Sequence, residues 1–572
     1  VRALAWRLLG NANSSKGLAR AAVSSIRILE DDPNDRLDAA IRARLDIKPD
    51  IYLEIERHNL AGDIDAAITV IRNGYQSGSI APDDLALWRR SARTLLVRGN
   101  IGRDAEILHR AHVVLPKNDR ISQRISWLDD ALRAEGMSLS SLAQSTSDAD
   151  STGPTAIGLA ARQVARCPVI ADPENRQGIV MLGGSLACGG AERIMANCYR
   201  QLVDSHEYDP VNLWLMQFSN KNDGPDYRFY LDETGASEAD IVEVDETEVR
   251  DPEPALRSAP RLYAKRASAL TSMLRERRPA ALHCWLDQCC LIGGLAGILA
   301  DVPRIILHTH GLRPTRFMTA EATTGWAQAY ATLLARPEIR LVNCSEAGLI
   351  DYLDWISCRR GSNSKAILNG IDFEPFRSLP SIDARMAMRE KMGIPFNAPI
   401  VGTAFRFSSV KQPELWLRAA AHIHEQRPEV HFLMFGDGEL RPACQNLAEA
   451  LGIAEYVHMP GQVSDLADKL PLFDLFMLSS ASEGLPNVLI EAQAAKVPVI
   501  SFDVGGVSEA MMPGKSGELV ADHSAAALAD AALQWLSRNW LRRLAGWRGR
   551  RFVHKTFSMQ SMIDQIGKEL KG

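Results

Sequence analysis

The chain has 572 residues, too many for one hydrophobic core, so two to four domains are expected. Its 46% hydrophobic and 24% charged residues are ordinary globular values, and a net charge of -5 excludes a general nucleic-acid binder, which carries a basic excess. Nine cysteines with no CxxC pair exclude a disulfide framework and read as small buried hydrophobes.

Residues 1–137 read as helical throughout. Segments 36–44, 51–57, 64–72 and 86–98 carry apolar residues at helical spacing between short polar turns. Asp32-Pro33-Asn34-Asp35 and Leu115-Pro116-Lys117-Asn118-Asp119 close two segments, and Gly62 and Gly99 turn two others. This spacing resembles tetratricopeptide-type helical hairpins, a form that offers a face to a protein partner; an irregular helical domain is the plainer alternative. The first 29 residues hold Arg2, Arg7, Lys16, Arg20 and Arg27 beside Trp6, Leu8 and Leu9, with no acid. Such a segment suits an anionic membrane surface or an ordinary repeat helix. Residues 138–177 shift to Ser, Asp, Ala and Pro and are expected to be a linker.

Beyond the linker, short apolar runs alternate with helical patterns. Residues 179–182, 211–216, 281–285, 304–308 and 340–344 form one series of predicted strands. A second series comprises 400–401, 431–435, 457–458, 475–478 and 497–502. The alternation predicts an α/β architecture of two doubly wound parallel sheets, one over 178–373 and one over 374–548, with ligands at the carboxyl ends of the strands. No apolar run is long enough to span a bilayer and no signal-peptide pattern opens the chain, so a cytoplasmic location is expected.

The segment Ser482-Glu483-Gly484-Leu485-Pro486-Asn487-Val488-Leu489-Ile490-Glu491 follows a predicted strand and opens a helix. Its glycine and proline shape a turn whose free N–H groups suit an anion, while Glu483 and Glu491 can accept hydrogen bonds from sugar and ribose hydroxyls. The plainer reading gives Glu483 to the helix dipole and Glu491 to a solvated face. Gly189-Gly190-Ala191-Glu192-Arg193 follows the first strand, where a glycine pair permits close approach to a phosphate or only a tight turn. Asn369-Gly370-Ile371-Asp372 precedes the second series, Arg406 and Lys411 follow its first strand, and Asp503-Val504-Gly505-Gly506 with Glu509 follows its last.

In this order the motifs resemble those of family-4 retaining glycosyltransferases, over residues 178–572. The resemblance implies the two-domain GT-B fold and transfer of a sugar from a nucleotide diphosphate donor of the UDP-linked class, with retention and with no metal or other cofactor. It implies that Glu491 binds the donor ribose, Glu483 the donor sugar, and Arg406 and Lys411 the diphosphate. Gly189, Gly190, Gly484, Leu485, Pro486 and Asn487 would complete the donor site. The family's glycine after the lysine is Gln412 here. A histidine near the donor sugar corresponds to His310, which precedes Gly311. Strand alternation puts His308 on the same face and cannot choose between them. With no third ligand nearby, the two histidines do not make a metal site.

A helical domain ahead of such a transferase is similar in layout to capsule-polysaccharide transferases. That implies a UDP-linked N-acetylhexosaminuronic acid donor and a glycan or lipid-linked acceptor, and puts Arg313 and Arg316 in reach of a sugar carboxylate. Residues 535–555 hold Trp535, Trp540, Trp547 and seven Arg or Lys with no acid. They suit an anionic membrane surface. Alternatively they lead into the family's C-terminal helix, residues 549–572, packed back on the first α/β domain with Phe552 and Phe557 as anchors. An interaction scaffold with an inactive transferase half, or another GT-B enzyme such as a nucleotide-sugar epimerase or a phosphorylase, are the rival readings.

Overall fold

The computed structural model describes residues 51–60, 63–81, 83–145, 153–169, 176–219, 227–319 and 322–571. The basic segment at 1–29 and the helix expected at 36–44 lie outside them. The described residues fall into two compact units: one runs to Arg166 and includes 250–265 and 320–329, and the other holds 167–249, 266–319 and 330 onward.

The first unit is helical. Helices α1 (Ile51–Leu60), α2 (Ile64–Gln76), α3 (Leu85–Arg98), α4 (Ile101–Val114) and α5 (Arg120–Arg133) each pack on the next. Asp63, Asp84, Asn100 and Asp119 accept hydrogen bonds from first-turn N–H groups and so fix where four of them begin. Ile68, Ile71, Trp88, Leu95, Leu108 and Ile125 fill the shared core.

The expected linker at 138–177 is not one over its first part. It contains α6 (Leu139–Ser145) and α7 (Ala156–Ala165), and Leu139, Ala156 and Leu159 are buried in the same helical core. Thr155 caps α7 by accepting from Gly158 N–H at 3.2 Å, and Ala156 N–H donates to the Gly99 carbonyl at 2.8 Å. Ser and Ala are compatible with capped helices as well as with loops, and composition alone does not separate the two.

The second unit carries two parallel sheets. Strands β1 (Ile179–Gly183), β2 (Val211–Leu215), β3 (Ile241–Glu243), β4 (Ala281–Trp285), β5 (Ile305–Thr309), β6 (Ile339–Asn343) and β7 (Ser364–Ala366) form one, ordered 3-2-1-4-5-6-7. Strands β8 (Ile400–Ala404), β9 (His431–Phe435), β10 (Val457–Gly461), β11 (Leu475–Leu478), β12 (Val499–Phe502) and β13 (Gly517–Val520) form the other, ordered 10-9-8-11-12-13. Chain order reverses between β1 and β4 and again between β8 and β11, so each sheet has a crevice at the carboxyl ends of those strands. The central strands are buried along their whole length, as continuous apolar runs require. Strands β3, β7 and β13 were not expected from the sequence; each is short and lies at a sheet edge, where packing demands little periodicity.

The helices that position the site are α8 (Gly190–Asp204), α9 (Glu346–Trp355), α10 (Pro413–Gln426) and α11 (Asn487–Ala494). The C-terminal boundary differs from the expected one at 549. Helix α12 (Asn539–Thr556) runs unbroken through it and packs on α11, with Gly546 against the Lys496 backbone. The chain returns to the first sheet only after buried Phe557, as α13 (Met559–Lys571), where Gly370 N–H donates to Met562 Sδ and Lys365 pairs with Glu569. Among the described residues no helix is long and apolar enough to cross a membrane.

Candidate active site

The turn after β11 is held from three sides by backbone. Ser479 Oγ donates to the carbonyls of Lys411 and Gln412 at 2.8 and 3.1 Å, and Ala481 N–H donates to the Val410 carbonyl at 2.8 Å. Gly506 N–H reaches the Glu483 carbonyl at 3.2 Å. A Cβ on Gly484 would stand 2.6 Å from Gly311 Cα, so a side chain there has no room and the turn touches the other lobe through bare backbone. Helix α11 starts at Asn487 with no side-chain cap, leaving its first N–H groups facing outward from the turn.

Charged groups converge on this turn. Lys411 Nζ donates to Glu483 Oε1 at 2.6 Å, and Glu483 is only 8% exposed. An ammonium has three donors, so two remain for another acceptor. Arg406, exposed at the end of β8, donates from Nη2 to the Cys188 carbonyl at 3.2 Å, one residue before the glycine pair. Glu491, buried in α11, is paired with Arg193 of α8. Asn487 Oδ1 accepts from Asn369 Nδ2 at 2.9 Å while its Nδ2 points to the Gly190 carbonyl at 3.4 Å. After Lys411, Gln412 adopts the left-handed conformation (φ 48°, ψ 54°) that a glycine takes readily, then Pro413 opens α10.

The choice between the histidines follows from burial. His308 is fully buried and shares a 3.1 Å hydrogen bond with His283 on the adjacent strand. His310 lies past the end of β5, keeps some exposed surface, and stacks flat on Trp285 with ring centroids 4.5 Å apart. Neither of its ring nitrogens has a hydrogen-bond partner among the described residues. Enclosure in low-dielectric surroundings pushes its pKa down to about 3, so the ring is neutral near pH 7 and offers one donor and one acceptor. Its carbonyl is beside Gly484.

Not every expected contact is available. Arg316 is engaged by Asp351, through Nη2 at 2.5 Å and Nε at 3.1 Å, and this pairing raises its pKa. Arg313 donates its backbone N–H to the same carboxylate at 2.7 Å, with its guanidinium 3.9 Å away. The pair is an internal ion cluster, and Arg316 is already neutralised. Trp285 lies outside every motif quoted from the sequence, while Arg193, Glu192 and Asn369 lie inside such motifs with no role assigned to them. Arg193 and Glu192 stand inside the glycine-pair motif, and burial raises the Glu192 pKa despite the charge of Arg406. Glu509 accepts from Glu346 N–H and Ala347 N–H, both at 2.8 Å, and so caps α9 of the first lobe from the second.

Two parallel sheets with their switch points and helix starts turned to a common set of charged side chains define a GT-B glycosyltransferase fold. Solved structures agree: that of Anabaena Alr3699/HepE in complex with UDP and glucose has a TM-score of 0.58 at 18% identity, covering 69% of this chain and all of that one. Residues 385–552 match the family of group 1 glycosyl transferases. The Salmonella typhi Vi polysaccharide biosynthesis protein VipC/TviE is 28% identical over 424 residues, 68% of this chain and 71% of that protein. The D-inositol 3-phosphate glycosyltransferase of Streptomyces scabiei is 36% identical over 171 residues, 28% of this chain and 38% of that protein.

Proposed function

We propose that this chain transfers a sugar, with retention of configuration, from a UDP-linked donor to a growing surface polysaccharide or a lipid-linked glycan. One arrangement carries the reading: Lys411, Arg406 and the uncapped start of α11 surround the turn that holds Glu483, with Glu491 one turn deeper. A diphosphate there meets two cations and the positive end of a helix, which favours the charge that builds as the sugar–phosphate bond breaks. The reading involves no metal ion.

Glu491, oriented by Arg193, is set to accept from ribose hydroxyls, and Glu483, oriented by Lys411, from the donor sugar. His310, neutral and backed by Trp285, is set to hydrogen-bond the sugar from the first lobe. The acceptor hydroxyl attacks from the face the phosphate leaves, and the departing phosphate oxygen takes its proton. Support for a UDP donor comes from the relatives, since crystals of the Anabaena protein hold UDP. Support for a polymer product comes from the similarity to the Vi polysaccharide protein. Acceptors of this kind are presented at a membrane face, and peripheral attachment to that face belongs to the reading.

The test is a thermal-shift screen of nucleotide sugars, followed by assay of nucleotide diphosphate release with and without a glycan acceptor. A donor at 100 times its Kd adds about 2.7 kcal/mol of stability. Release that depends on acceptor supports a transferase. A nucleotide sugar that is turned over with no acceptor points to an epimerase and defeats the proposal.

A further inference from the structure

Helix α12 presents an exposed stripe that neither the fold nor the donor site uses. Trp540 and Trp547 are 68% and 55% exposed, the two exposed tryptophans among the described residues. They are seven residues apart, and Arg543, Arg551, His554 and Lys555 are exposed on the same side. The opposite side, Ala545, Gly546, Gly549 and Val553, is buried against the lobe. The inward cations are occupied: Arg542 pairs with Asp474 and Arg550 donates to the Ala494 carbonyl. Arg543, Arg548 and Lys555 form no ion pair among the described residues, and Arg551 lies over the Trp547 ring at 5.9 Å. The helix contains no acidic residue, although the whole chain carries a net charge of -5.

We propose that the outer face of α12 docks on an anionic lipid bilayer, with Trp540 and Trp547 at the headgroup boundary and Arg543, Arg548, Arg551 and Lys555 on lipid phosphates. Two features select this occupant. Indole rings alternating with cations at helical spacing match the boundary layer of a bilayer, where an apolar ring and a charge are both satisfied. The helix gathers cations without a single acid in a chain whose overall charge is negative, so its outer face complements a negative plane. Because α12 packs directly on α11, docking would hold the Glu491 helix close to the lipid surface. The inference does not depend on which sugar is transferred.

The experiment is flotation of the full chain at low salt, with phosphatidylcholine vesicles and with vesicles of phosphatidylcholine and phosphatidylglycerol in equal parts. The chain is expected to float with the anionic vesicles only. Arg543→Gln/Arg551→Gln/Lys555→Gln is expected to lower partitioning about 100-fold, and Trp540→Ala/Trp547→Ala about tenfold, with unchanged melting temperature. Brominated acyl chains should quench a tryptophan emission that Trp540→Phe/Trp547→Phe removes. The proposal is overturned if the unmodified chain stays with the buffer, if it floats equally with both vesicles, or if the charge variant floats as well as the parent. Sedimentation showing that the stripe is covered by a second copy would overturn it too.

Discussion

Lys411 Nζ lies 2.6 Å from Glu483 Oε1, and the carboxylate it holds is almost fully buried. The pair therefore has two jobs that separate by mutation. Lys411→Ala leaves a buried carboxylate without its partner, which is expected to cost about 1–3 kcal/mol in an unfolding experiment. The same variant removes a diphosphate cation and should lower kcat about 100-fold or more. Lys411→Met/Glu483→Gln has no unpaired charge, so its melting temperature should recover while activity stays low. Recovery of both would mean that the lysine serves only the fold.

Glu491 and Arg193 come from opposite lobes and meet as an ion pair. Glu491→Ala is expected to abolish the thermal shift that a nucleotide sugar produces. Arg193→Ala should raise the donor KM with a smaller effect on kcat, since it orients the carboxylate that binds the ribose and does not touch the breaking bond. An Arg193→Ala enzyme with parental KM would remove that role.

Acid should weaken the first lobe through its histidines. Burial pushes the pKa of His283 and of His310 down to about 3 and holds that of His308 well below its usual range. The unfolded chain takes up protons near pH 6.5 and the folded one does not. Stability is thus whole above about pH 6.5 and is lost as pH falls toward about 3, by up to about 1.4 kcal/mol per pH unit for each ring. Thermal unfolding from pH 7.5 to pH 5 should show the decline, and His310→Gln should flatten it. An unchanged slope in that variant would mean that His310 titrates as an ordinary surface imidazole.

Gln412 holds a left-handed backbone conformation that glycine adopts without strain. A side chain in the left-handed conformation is disfavoured by about 1–2 kcal/mol relative to glycine. Part of that advantage is offset by the greater freedom of glycine in the unfolded chain. Gln412→Gly is therefore expected to stabilise by about 0.5–1 kcal/mol with activity intact, as read from denaturant midpoints. A destabilised variant would indicate that the glutamine side chain makes a contribution its backbone geometry does not reveal.

What could be read beforehand was local. Strands 281–285, 431–435 and 475–478 were legible because each is an unbroken apolar run, and each is observed at those bounds. The Glu483 turn was legible because Gly484 and Pro486 punctuate it and a helix follows at once. Partnerships were not legible. Nothing in the spacing joins Arg193 to Glu491, Glu509 to the start of α9, or Arg316 to Asp351: the first two pairs meet only across the lobes, and the third only once the first lobe has folded. Helices α6 and α7 were missed for another reason: Ser, Ala and Gly fill much of both, a composition that reads as a linker even though most of α7 is buried.

Gly484 offers the sharpest separation of geometry from charge. Its ideal Cβ would lie 2.6 Å from Gly311 Cα and 3.2 Å from the His310 carbonyl, both backbone atoms that cannot rotate away. Gly484→Ala must therefore move the turn or part the lobes, although it alters no charge and no proposed hydrogen bond. A displacement of about 1 Å at a reacting centre is enough to cost about 100-fold in rate. The variant should fold, bind donor more weakly and turn over at least about 100-fold more slowly, in single-turnover assays that exclude product release. If it turned over at the parental rate, the close approach of the two lobes at this turn would not be part of the catalytically competent form.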